Sequence, residues 1–288
     1  MLSSNAVEPS ATILADFLQS TRNGGILVIT GAGASLASGI PTFRGTDPSA
    51  VWKRDITELG TNRYFREDPV GSWAWYLSRF EKVLAARPNP THFALAALEK
   101  WAQEQDREFL LITQNIDTLH EDAGSRRLIK VHGSADRIRC ARYGCRLGAP
   151  RGSLLRSEFD LEPFLAAPSL SLIPRCPQCG DLLRQHVLWF DEYYTEHEDY
   201  QFDRAQRALA DMAGALFVGT SFSVGITEMV LQAGRSSDLP MISIDPSSTP
   251  PGRGVTHLQE LSEQLLPEVC RRIGVPLTAL GATFSLDG

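Results

Sequence analysis

The fold class follows from residues 25–41, GILVITGAGASLASGIP, in which a buried strand runs directly into a glycine-rich turn. The segment 25–30 is short, continuous and rich in β-branched residues, which is typical of a strand buried on both faces. Gly31 and Gly33 then permit a tight turn whose backbone N–H groups can approach a phosphate. Leu36 stands where a dinucleotide-binding fingerprint has its third glycine, so this turn alone fits a plain strand–helix connection as well.

Strand-like and helix-like segments alternate along the rest of the chain. Further strands are predicted in the segments 107–113, 127–134, 215–221 and 240–245. Helices are predicted over the segments 91–104, 202–214 and 227–237. Such alternation predicts an α/β fold: a Rossmann-like, doubly wound parallel sheet with its ligand at the carboxyl ends of the strands.

Two segments interrupt this alternation and are predicted to lie outside the main sheet. Residues 134–184 contain four of the five cysteines and are expected to form a smaller, inserted lobe. Residues 46–87 are expected to form a helical excursion beside the turn. The main domain is then built from the segments 1–45, 88–133 and 185–288.

The composition is that of a globular protein and excludes several functional classes. The 288 residues are 43% hydrophobic and 22% charged with a net charge of −6, which indicates no general affinity for nucleic acid or membrane surfaces. No apolar run approaches the roughly 20 residues that span a bilayer. The N-terminus lacks the basic start of a signal peptide, and an odd number of cysteines fits a reducing compartment. We therefore expect a cytoplasmic protein.

Polar residues follow two of the predicted strands. Gln114, Asn115 and Asp117 come directly after one strand, and His132 lies at the end of the next. Because the carboxyl ends of parallel strands share one edge of a sheet, these side chains are expected near the ligand. An amide and a carboxylate can together recognise a primary carboxamide, although either residue also fits a helix N-cap. Histidine, with an ordinary pKa near 6.5, suits a general base, but a lone histidine is more often structural.

Four cysteines form two close pairs, Cys140 with Cys145 and Cys176 with Cys179. Two such pairs suit a tetrahedral Zn²⁺ site closed by four thiolates, which leaves no open position for catalysis. The predicted role of the metal is therefore structural, within the inserted lobe. A disulfide framework is a poor alternative in a reducing compartment, and a redox Cys-x-x-Cys motif leaves the first pair unexplained.

Residues 71–80, GSWAWYLSRF, have the periodicity of an amphipathic helix. Tyr76 and Arg79 lie three residues apart and share one face of that helix. The plain interpretation is that Tyr76 borders the core while Arg79 points into water with its stem along the apolar stripe.

Taken together, these motifs resemble the sirtuin (Sir2) family of NAD-dependent protein deacylases. The resemblance runs in family order from about residue 25 to residue 267 and is carried by GAGASLASGIPTFRG, TQNIDTLHEDAG, VHGS, the cysteine pairs, LLRQHVLWFDE and VGTSFSV. It implies that NAD is the cofactor, that the cysteines hold structural Zn²⁺, and that acylated lysine side chains of proteins or peptides are the substrates.

The resemblance also implies a role for each site residue. His132 would be the general base, while Asn115 and Asp117 would bind the nicotinamide carboxamide and help expose the ribose carbon C1′ to the acyl oxygen. The products would be nicotinamide, O-acyl-ADP-ribose and free lysine. The other implied NAD contacts are Gly31, Ala32, Gly33, Ser35, Ile40, Phe43, Arg44, Gln114, Ile116, Gly219, Thr220, Ser221, Asp245 and Ser262. The acyl-lysine tunnel would be lined by Val187, Leu188, Trp189 and Phe190.

One branch of the family, which removes succinyl, malonyl and glutaryl groups, resembles this chain further. It carries a Tyr-x-x-Arg pair in the helix after the cofactor loop, and Tyr76 and Arg79 match that pair. A carboxylate drawn into a dry tunnel must be paired, and a planar guanidinium supplemented by a phenol hydroxyl suits it. The resemblance therefore implies a preference for acidic acyl groups over acetyl.

Several positions depart from the family pattern, among them Ile226, where many members have proline, and the longer spacing of the first cysteine pair. Asp191 stands where the family usually has glycine, which places a side chain beside the peptide-binding strand. Asp245 stands where an asparagine is common, although a carboxylate can also accept hydrogen bonds from ribose hydroxyls. Two other functions stay open: a sirtuin-fold enzyme that hydrolyses NAD or transfers ADP-ribose to protein, and a non-catalytic NAD sensor.

Overall fold

The computed structural model describes residues 7–21, 24–41, 56–223 and 225–277, which form two sheets surrounded by helices. The strands in this part of the chain are β1 (Gly25–Thr30), β2 (Phe109–Thr113), β3 (Leu128–Lys130), β4 (Gly133–Cys140), β5 (Leu154–Leu155), β6 (Leu183–Val187), β7 (Met212–Val218), β8 (Met241–Ile244) and β9 (Thr256–Leu258). The α-helices are α1 (Val7–Ser20), α2 (Ile56–Leu59), α3 (Asn62–Glu67), α4 (Pro69–Ala85), α5 (Pro90–Glu104), α6 (Leu119–Asp122), α7 (Glu162–Ala166), α8 (Phe202–Asp211), α9 (Gly225–Ser236) and α10 (Ser262–Arg272).

The main sheet has six parallel strands in the order β3-β2-β1-β7-β8-β9. Its central strand β1 is buried on both faces, as the sequence predicts. Ile26 and Val28 pack into a core with α1, α5 and α10, whereas Leu27 and Ile29 face α8 and α9. Each such side chain contributes about 1.5–3 kcal/mol when fully buried. The predicted doubly wound α/β architecture is confirmed.

The register of the main sheet aligns the carboxyl ends of its strands in one row. Thr30 at the end of β1 pairs with Thr113 of β2 and with Val218 of β7. Thr113 in turn pairs with Lys130, and Val218 with Ile244. The residues that follow these strands therefore meet along one edge, where ligands bind in folds of this kind.

A second, three-stranded antiparallel sheet has the order β5-β4-β6 and extends from Gly133 to Val187. It packs against α4 in a separate hydrophobic core, here named the second core, whose largest buried members include Phe65, Trp73, Phe80, Phe164 and Trp189. Trp73 is fully buried and its Nε1 donates to the carbonyl of Leu183 at 2.9 Å, which joins α4 to β6. The bounds of the predicted regions, 46–87 and 134–184 among them, stay predictions.

Helix α4 begins where its sequence provides a cap. The Asp68 carboxylate accepts from the backbone N–H of Gly71 at 2.8 Å, and Pro69 occupies the first turn, where no N–H partner is needed. Tyr76, Leu77 and Phe80 then turn one face of the helix into the second core. The amphipathic helix predicted for residues 71–80 is confirmed.

The helix predicted for residues 202–214 is wrong at its carboxyl end. Helix α8 ends at Asp211, and Met212 already belongs to β7, where it pairs with Gly25. A Cβ atom on Gly214 would lie 2.8 Å from the ring of Phe17, so the strand there passes very close to α1. Local helix propensity gives way because β7 lies between β1 and β8 in the sheet. Among the described residues, no helix combines the length and apolarity needed to span a bilayer.

Candidate active site

A cavity of about 1240 Å³ opens along the carboxyl edge of the main sheet. The residues that follow four of the strands line it: Gly31, Gln114, Gly219 and Asp245. Pockets for a single small ligand usually have about 300–1,000 Å³. This cavity therefore has room for a large ligand together with part of a second one.

The glycine turn after β1 forms one wall of the cavity. Its residues enter a 3₁₀-helix, Ala32–Ser38, rather than an α-helix. A Cβ atom on Gly33 would lie 2.7 Å from the Cα atom of Gly219, so both positions need glycine for the two loops to approach. Gly219 also has a φ of +57°, in the left-handed region. Leu36, which breaks the sequence fingerprint, is half exposed and lines the cavity without blocking the turn.

Behind this turn, three buried polar side chains are joined by hydrogen bonds in the order Asn115, Ser35 and Asp117. The Asn115 Nδ2 donates to the carbonyl of Gly31 at 3.0 Å and to the Ser35 Oγ at 2.9 Å. The Ser35 hydroxyl donates to the Asp117 Oδ2 at 2.9 Å, and the other carboxylate oxygen accepts from the Leu119 N–H. Burial raises the pKa of Asp117, against the opposing effect of these hydrogen bonds. Asn115 is thus held rigidly with its amide at the cavity wall.

His132 lines the cavity at the same edge, with one ring nitrogen bonded to the backbone and the other beside the Tyr194 hydroxyl. Its Nδ1 is 2.7 Å from the carbonyl oxygen of Gln114. A carbonyl can only accept, so Nδ1 carries the proton and Nε2 of the neutral ring is an acceptor. Burial lowers the pKa of His132, opposed by the hydrogen bond to Gln114. The ring is therefore neutral at pH 7, the form that a general base requires.

The opposite wall is mostly apolar and comes from the end of β6 and from α4. Val187, Leu188, Trp189 and Phe190 all line the cavity, as does Tyr76. Trp189 is almost completely buried, whereas Phe190 is 53% exposed at the opening. The two aromatic rings of Tyr76 and Trp189 stack with centroids 6.1 Å apart. Burial raises the pKa of Tyr76, so its hydroxyl stays protonated.

A buried ion-pair group supports this apolar wall. The Glu192 carboxylate bonds to both Arg184 and Arg139, and all three side chains are at most 5% exposed. Arg184 also donates to the carbonyl of Val187 at 3.0 Å and lies over the Trp189 ring. Burial acts to raise the pKa of Glu192, but the two arginines outweigh it, so the pKa is lowered and Glu192 stays charged.

Arg79 does not lie among the residues that line the cavity. Its guanidinium lies 4.1 Å from the ring centroid of Trp75, and its Nη1 donates to the carbonyl of Trp75 at 3.0 Å. Trp75 itself lines the cavity, and its ring meets that of Tyr76 edge-on at 4.7 Å. The guanidinium is therefore separated from the cavity by one indole ring.

The four paired cysteines converge in the second sheet. Their sulfur atoms all lie within 4.8 Å of one another, with Cys140 and Cys179 at 3.5 Å and Cys145 and Cys176 at 3.7 Å. These distances are too long for disulfides. Four thiolates bound tetrahedrally at about 2.3 Å from Zn²⁺ have sulfurs about 3.8 Å apart. The donor set and its spacing thus fit a closed, structural Zn²⁺ site.

A second group of possible metal ligands, His186, His197 and Asp199, is explained by hydrogen bonds. The His197 Nδ1 already accepts from the backbone N–H of Asp199 at 3.1 Å, and its Nε2 faces the Gly152 carbonyl at 3.1 Å. The Asp199 carboxylate accepts from Ser153 at 2.8 Å and lies 3.2 Å from the His186 Nε2. These groups join the loop before β5 to the end of β6.

Most of the site residues predicted from the sequence are brought together, and some are not. Those that line the cavity are Gly31, Ala32, Gly33, Tyr76, Gln114, Asn115, Ile116, His132, Val187, Leu188, Trp189, Phe190, Gly219, Thr220, Ser221, Asp245 and Ser262. Ser35 and Asp117 lie buried behind Asn115, and Ile40 packs against the second core. Phe43 and Arg44 lie outside the described residues.

The lining residues that the sequence reasoning missed include Trp75, Glu192 and Tyr194. Trp75 adjoins Tyr76, and Glu192 ends the quoted segment LLRQHVLWFDE, so proximity to those motifs was the available signal. No comparable signal marked Tyr194, which reaches His132 only through the tertiary fold.

These features define a class: an α/β protein that binds its ligand at a glycine turn and at the strand ends of a doubly wound sheet, with a separate thiolate metal centre. The chain belongs to the Sir2 family, whose model matches residues 31–225. It is 38% identical over 238 residues to an NAD-dependent protein deacylase of Thermus thermophilus, which covers 82% of this chain and 84% of the relative.

Solved structures agree with this assignment. A Sir2 homolog–NAD complex is similar with a TM-score of 0.72 and 31% identity, over 93% of this chain and 95% of that one. A Sir2 protein with a deacetylated p53 peptide and 3′-O-acetyl ADP-ribose is similar with a TM-score of 0.74 and 25% identity, over 92% of this chain and 99% of that one.

Proposed function

We propose that the protein is an NAD-dependent protein-lysine deacylase that transfers the acyl group from lysine to ADP-ribose. The observation that carries this proposal is the meeting of Asn115, His132 and the Val187–Phe190 wall in one cavity beside the glycine turn. A base, a carboxamide-binding group and an apolar tunnel wall are the parts that this reaction needs. The relatives from Thermus thermophilus and Leptospira interrogans are named NAD-dependent protein deacylases, which supports the same activity.

The residues present fit NAD. The glycine turn approaches the cavity with little side-chain bulk, and Asp245 and Ser262 supply polar groups in the wall. When bound, NAD would supply an electrophilic ribose carbon with nicotinamide as leaving group. Asn115 would bind the carboxamide of that leaving group, because Ser35 and the Gly31 carbonyl fix its amide in one orientation. Asp117 would act mainly by orienting Ser35.

His132 would remove a proton from a ribose hydroxyl. Its Nε2 is the acceptor nitrogen, since Nδ1–H is committed to the Gln114 carbonyl. The lowered pKa keeps the ring neutral and ready to accept that proton at pH 7. General base catalysis by a positioned histidine contributes about 10²- to 10⁴-fold in rate.

The acyl-lysine chain would pass along the apolar wall of Val187, Leu188, Trp189 and Phe190. The peptide that carries the lysine would lie extended beside this wall, as in β-strand addition. The exposed ring of Phe190 at the opening suits contact with the peptide flanking the lysine. Zn²⁺ held by the four cysteines would keep this wall in place, because Cys140 and Cys176 pack in the same second core as Trp189.

We further propose that acidic acyl groups are preferred, with Tyr76 and Arg79 binding the distal carboxylate. Tyr76 lines the cavity, but Arg79 would have to turn from the Trp75 face to reach it. The interactions it would leave include a part-buried bond to the Trp75 carbonyl, an exposed one to the Ser78 hydroxyl, and the contact with the Trp75 ring. Arg139 and Arg184 are already bound to Glu192, which makes Arg79 the better candidate for a substrate carboxylate.

The test uses one peptide carrying acetyl, succinyl or glutaryl lysine, incubated with and without NAD and analysed by mass spectrometry. We expect NAD-dependent loss of the acyl group, fastest for the acidic ones. Nicotinamide release that does not depend on an acylated peptide would instead indicate NAD hydrolysis, and an ADP-ribosylated peptide would indicate ADP-ribosyl transfer.

The variant Arg79→Met tests the acyl preference. A hydrogen bond to a charged group is worth about 1.5–3 kcal/mol, so the ratio of desuccinylation to deacetylation should fall about 10- to 150-fold. Arg87→Met is the matched control, since Arg87 is exposed just beyond the end of α4 and donates to the carbonyl of its neighbour Ala86. Equal losses on both acyl groups would contradict the preference while leaving the deacylase proposal intact.

We also propose a cytoplasmic location. Thiolate ligands must be reduced to bind Zn²⁺, and all four cysteines are free thiols in a binding arrangement. Reducing conditions of the cytoplasm maintain that state. Fractionation of cells that express a tagged full-length chain would test this.

A further inference from the structure

Tyr194 and His132 both line the cavity, and the ring of Tyr194 contacts the imidazole of His132. The two rings are nearly parallel, with an interplanar angle of 8° and centroids 5.8 Å apart. The phenol oxygen is 3.4 Å from the His132 Nε2. On its other side the Tyr194 ring stacks on Phe202 at 5.0 Å, which limits its movement.

The hydrogen bonds assign a direction to this contact. The His132 Nδ1 donates to the Gln114 carbonyl, so Nε2 must accept and the phenol must donate. The backbone N–H of Ile226, at the start of α9, donates to the same phenol oxygen. Burial raises the pKa of Tyr194, so the phenol keeps its proton at neutral pH. A chain therefore runs from Ile226 through Tyr194 and His132 to Gln114.

Protonation of His132 would disturb this chain. An Nε2–H would point at an oxygen that already accepts from Ile226, and the phenol proton would have to turn away. The other charged group of this wall, Glu192, is taken up by Arg139 and Arg184. Burial lowers the pKa of His132 against the hydrogen bond to the Gln114 carbonyl, so the phenol acts on a ring that is already neutral. The phenol thus favours the neutral imidazole.

We propose that Tyr194 is a positioning residue for His132: its ring holds the imidazole plane and its hydroxyl keeps Nε2 neutral until a ribose hydroxyl takes the place of the phenol. The inference rests on the proposed role of His132 as base, since only a base needs an unprotonated Nε2. In the reaction the proton would pass from that ribose oxygen to Nε2, and the Nδ1–H bond to Gln114 would stay in place.

The variant Tyr194→Phe tests the hydroxyl alone, because it keeps the ring stacked between His132 and Phe202. The pKa of His132, measured by NMR on the protein without NAD, should rise by roughly half a pH unit, the equivalent of a weak neutral hydrogen bond. The acid limb of the pH profile of kcat/KM should move upward by the same amount. Tyr143→Phe is the control, since Tyr143 is exposed in the turn after β4 and should leave the His132 pKa unchanged.

Each outcome bears on one proposal. An unchanged or lowered pKa of His132 in Tyr194→Phe would overturn the role of Tyr194, whatever the activity of the protein. A raised pKa in a protein that deacylates no peptide would support the contact while refuting the proposed function. If Tyr194→Phe proves unstable, the same NMR titration on Tyr194→Trp, which keeps a stacked ring without the phenol, serves instead with the same expected direction.

Discussion

The two ends of the cavity are built differently. At the base end, Asn115, Ser35, Asp117 and His132 stand on adjacent parallel strands or turns, and each has a hydrogen-bond partner in place. At the acyl end, the wall stands on the second core, and Arg79 lies behind Trp75. The proposed chemistry is therefore preorganised, whereas the proposed acyl selectivity depends on a side-chain rearrangement.

This contrast indicates that amino-acid substitutions are tolerated better at the acyl end than at the base end. A shift of one strand register at the base end would displace several groups at once, because Thr30, Thr113 and Val218 align them. At the acyl end, a single long side chain can turn without moving the backbone. The proposed catalytic residues on the rigid edge and the proposed selectivity residues on helix α4 can thus change independently.

Removal of Zn²⁺ should impair the acyl end much more than the base end, and we expect this to be the largest difference between them. Structural Zn²⁺ contributes about 10–16 kcal/mol in small zinc-binding domains, so the second core should loosen when a chelator removes the metal. We expect acyl-peptide binding to be lost at a lower chelator concentration than NAD binding. Fluorescence of the buried tryptophans reports on the second core at the acyl end. Calorimetric titration measures the affinity for NAD at the base end. Simultaneous loss at both would show that the cores are not independent.

His132→Ala should break the base end while leaving the acyl end intact. The loss of the general base should reduce kcat/KM for deacylation about 10²- to 10⁴-fold. The affinity for NAD and for acyl peptide should change little, because His132 forms only a small part of the cavity wall. Steady-state kinetics and equilibrium binding on the same preparation measure both. Retained turnover would remove His132 from the proposed mechanism.

Acid should destabilise both ends, since each rests on a buried neutral histidine. Burial lowers the pKa of His92 and of His186 to about 4, from 6.5 in the unfolded chain. The unfolded chain therefore binds more protons between these values, so the free energy of unfolding falls as the pH drops from about 6.5 to about 4. Each histidine accounts for about 3 kcal/mol. Denaturant unfolding gives the free energy of unfolding of the wild type and of His92→Gln at each pH. The variant should lose less stability in acid, and an equal pH dependence in both proteins would contradict the role of His92.

Substitution of Asp191 should have the smallest effect, a modest loss of stability. Its two carboxylate oxygens accept from the backbone N–H groups of Asn62 at 2.7 Å and Arg63 at 3.1 Å, which joins the acyl wall to α3. Asp191→Gly should cost about 1 kcal/mol of stability by loss of this cap. Asp191→Asn keeps a capping oxygen and changes only the charge. Thermal melting and the KM for acidic peptides separate the two effects: a similar loss in both variants would indicate charge rather than capping.

Much of the base end was predictable because it lies close to its sequence motifs. Gly31, Asn115 and His132 follow predicted strands directly, and parallel strands bring their carboxyl ends together whatever the detailed packing. The cysteine pairs were predictable for a similar reason, since their spacing reports the ligand set. The departure at Asp191 was visible in the sequence, but its role as a cap for α3 was not, because residues 62 and 191 meet only in the folded chain.

The alternation of strands and helices, the glycine turn and the four cysteine ligands follow from residue type and spacing, because side-chain periodicity and ligand spacing encode them. The family was implied by the resemblance of the motifs to those of known proteins. Three features required the folded chain: the position of Arg79 behind Trp75, the bond of Asp191 to α3, and the contact of Tyr194 with His132. Each joins residues on different elements or depends on a rotamer, and side-chain packing in three dimensions selects among such arrangements.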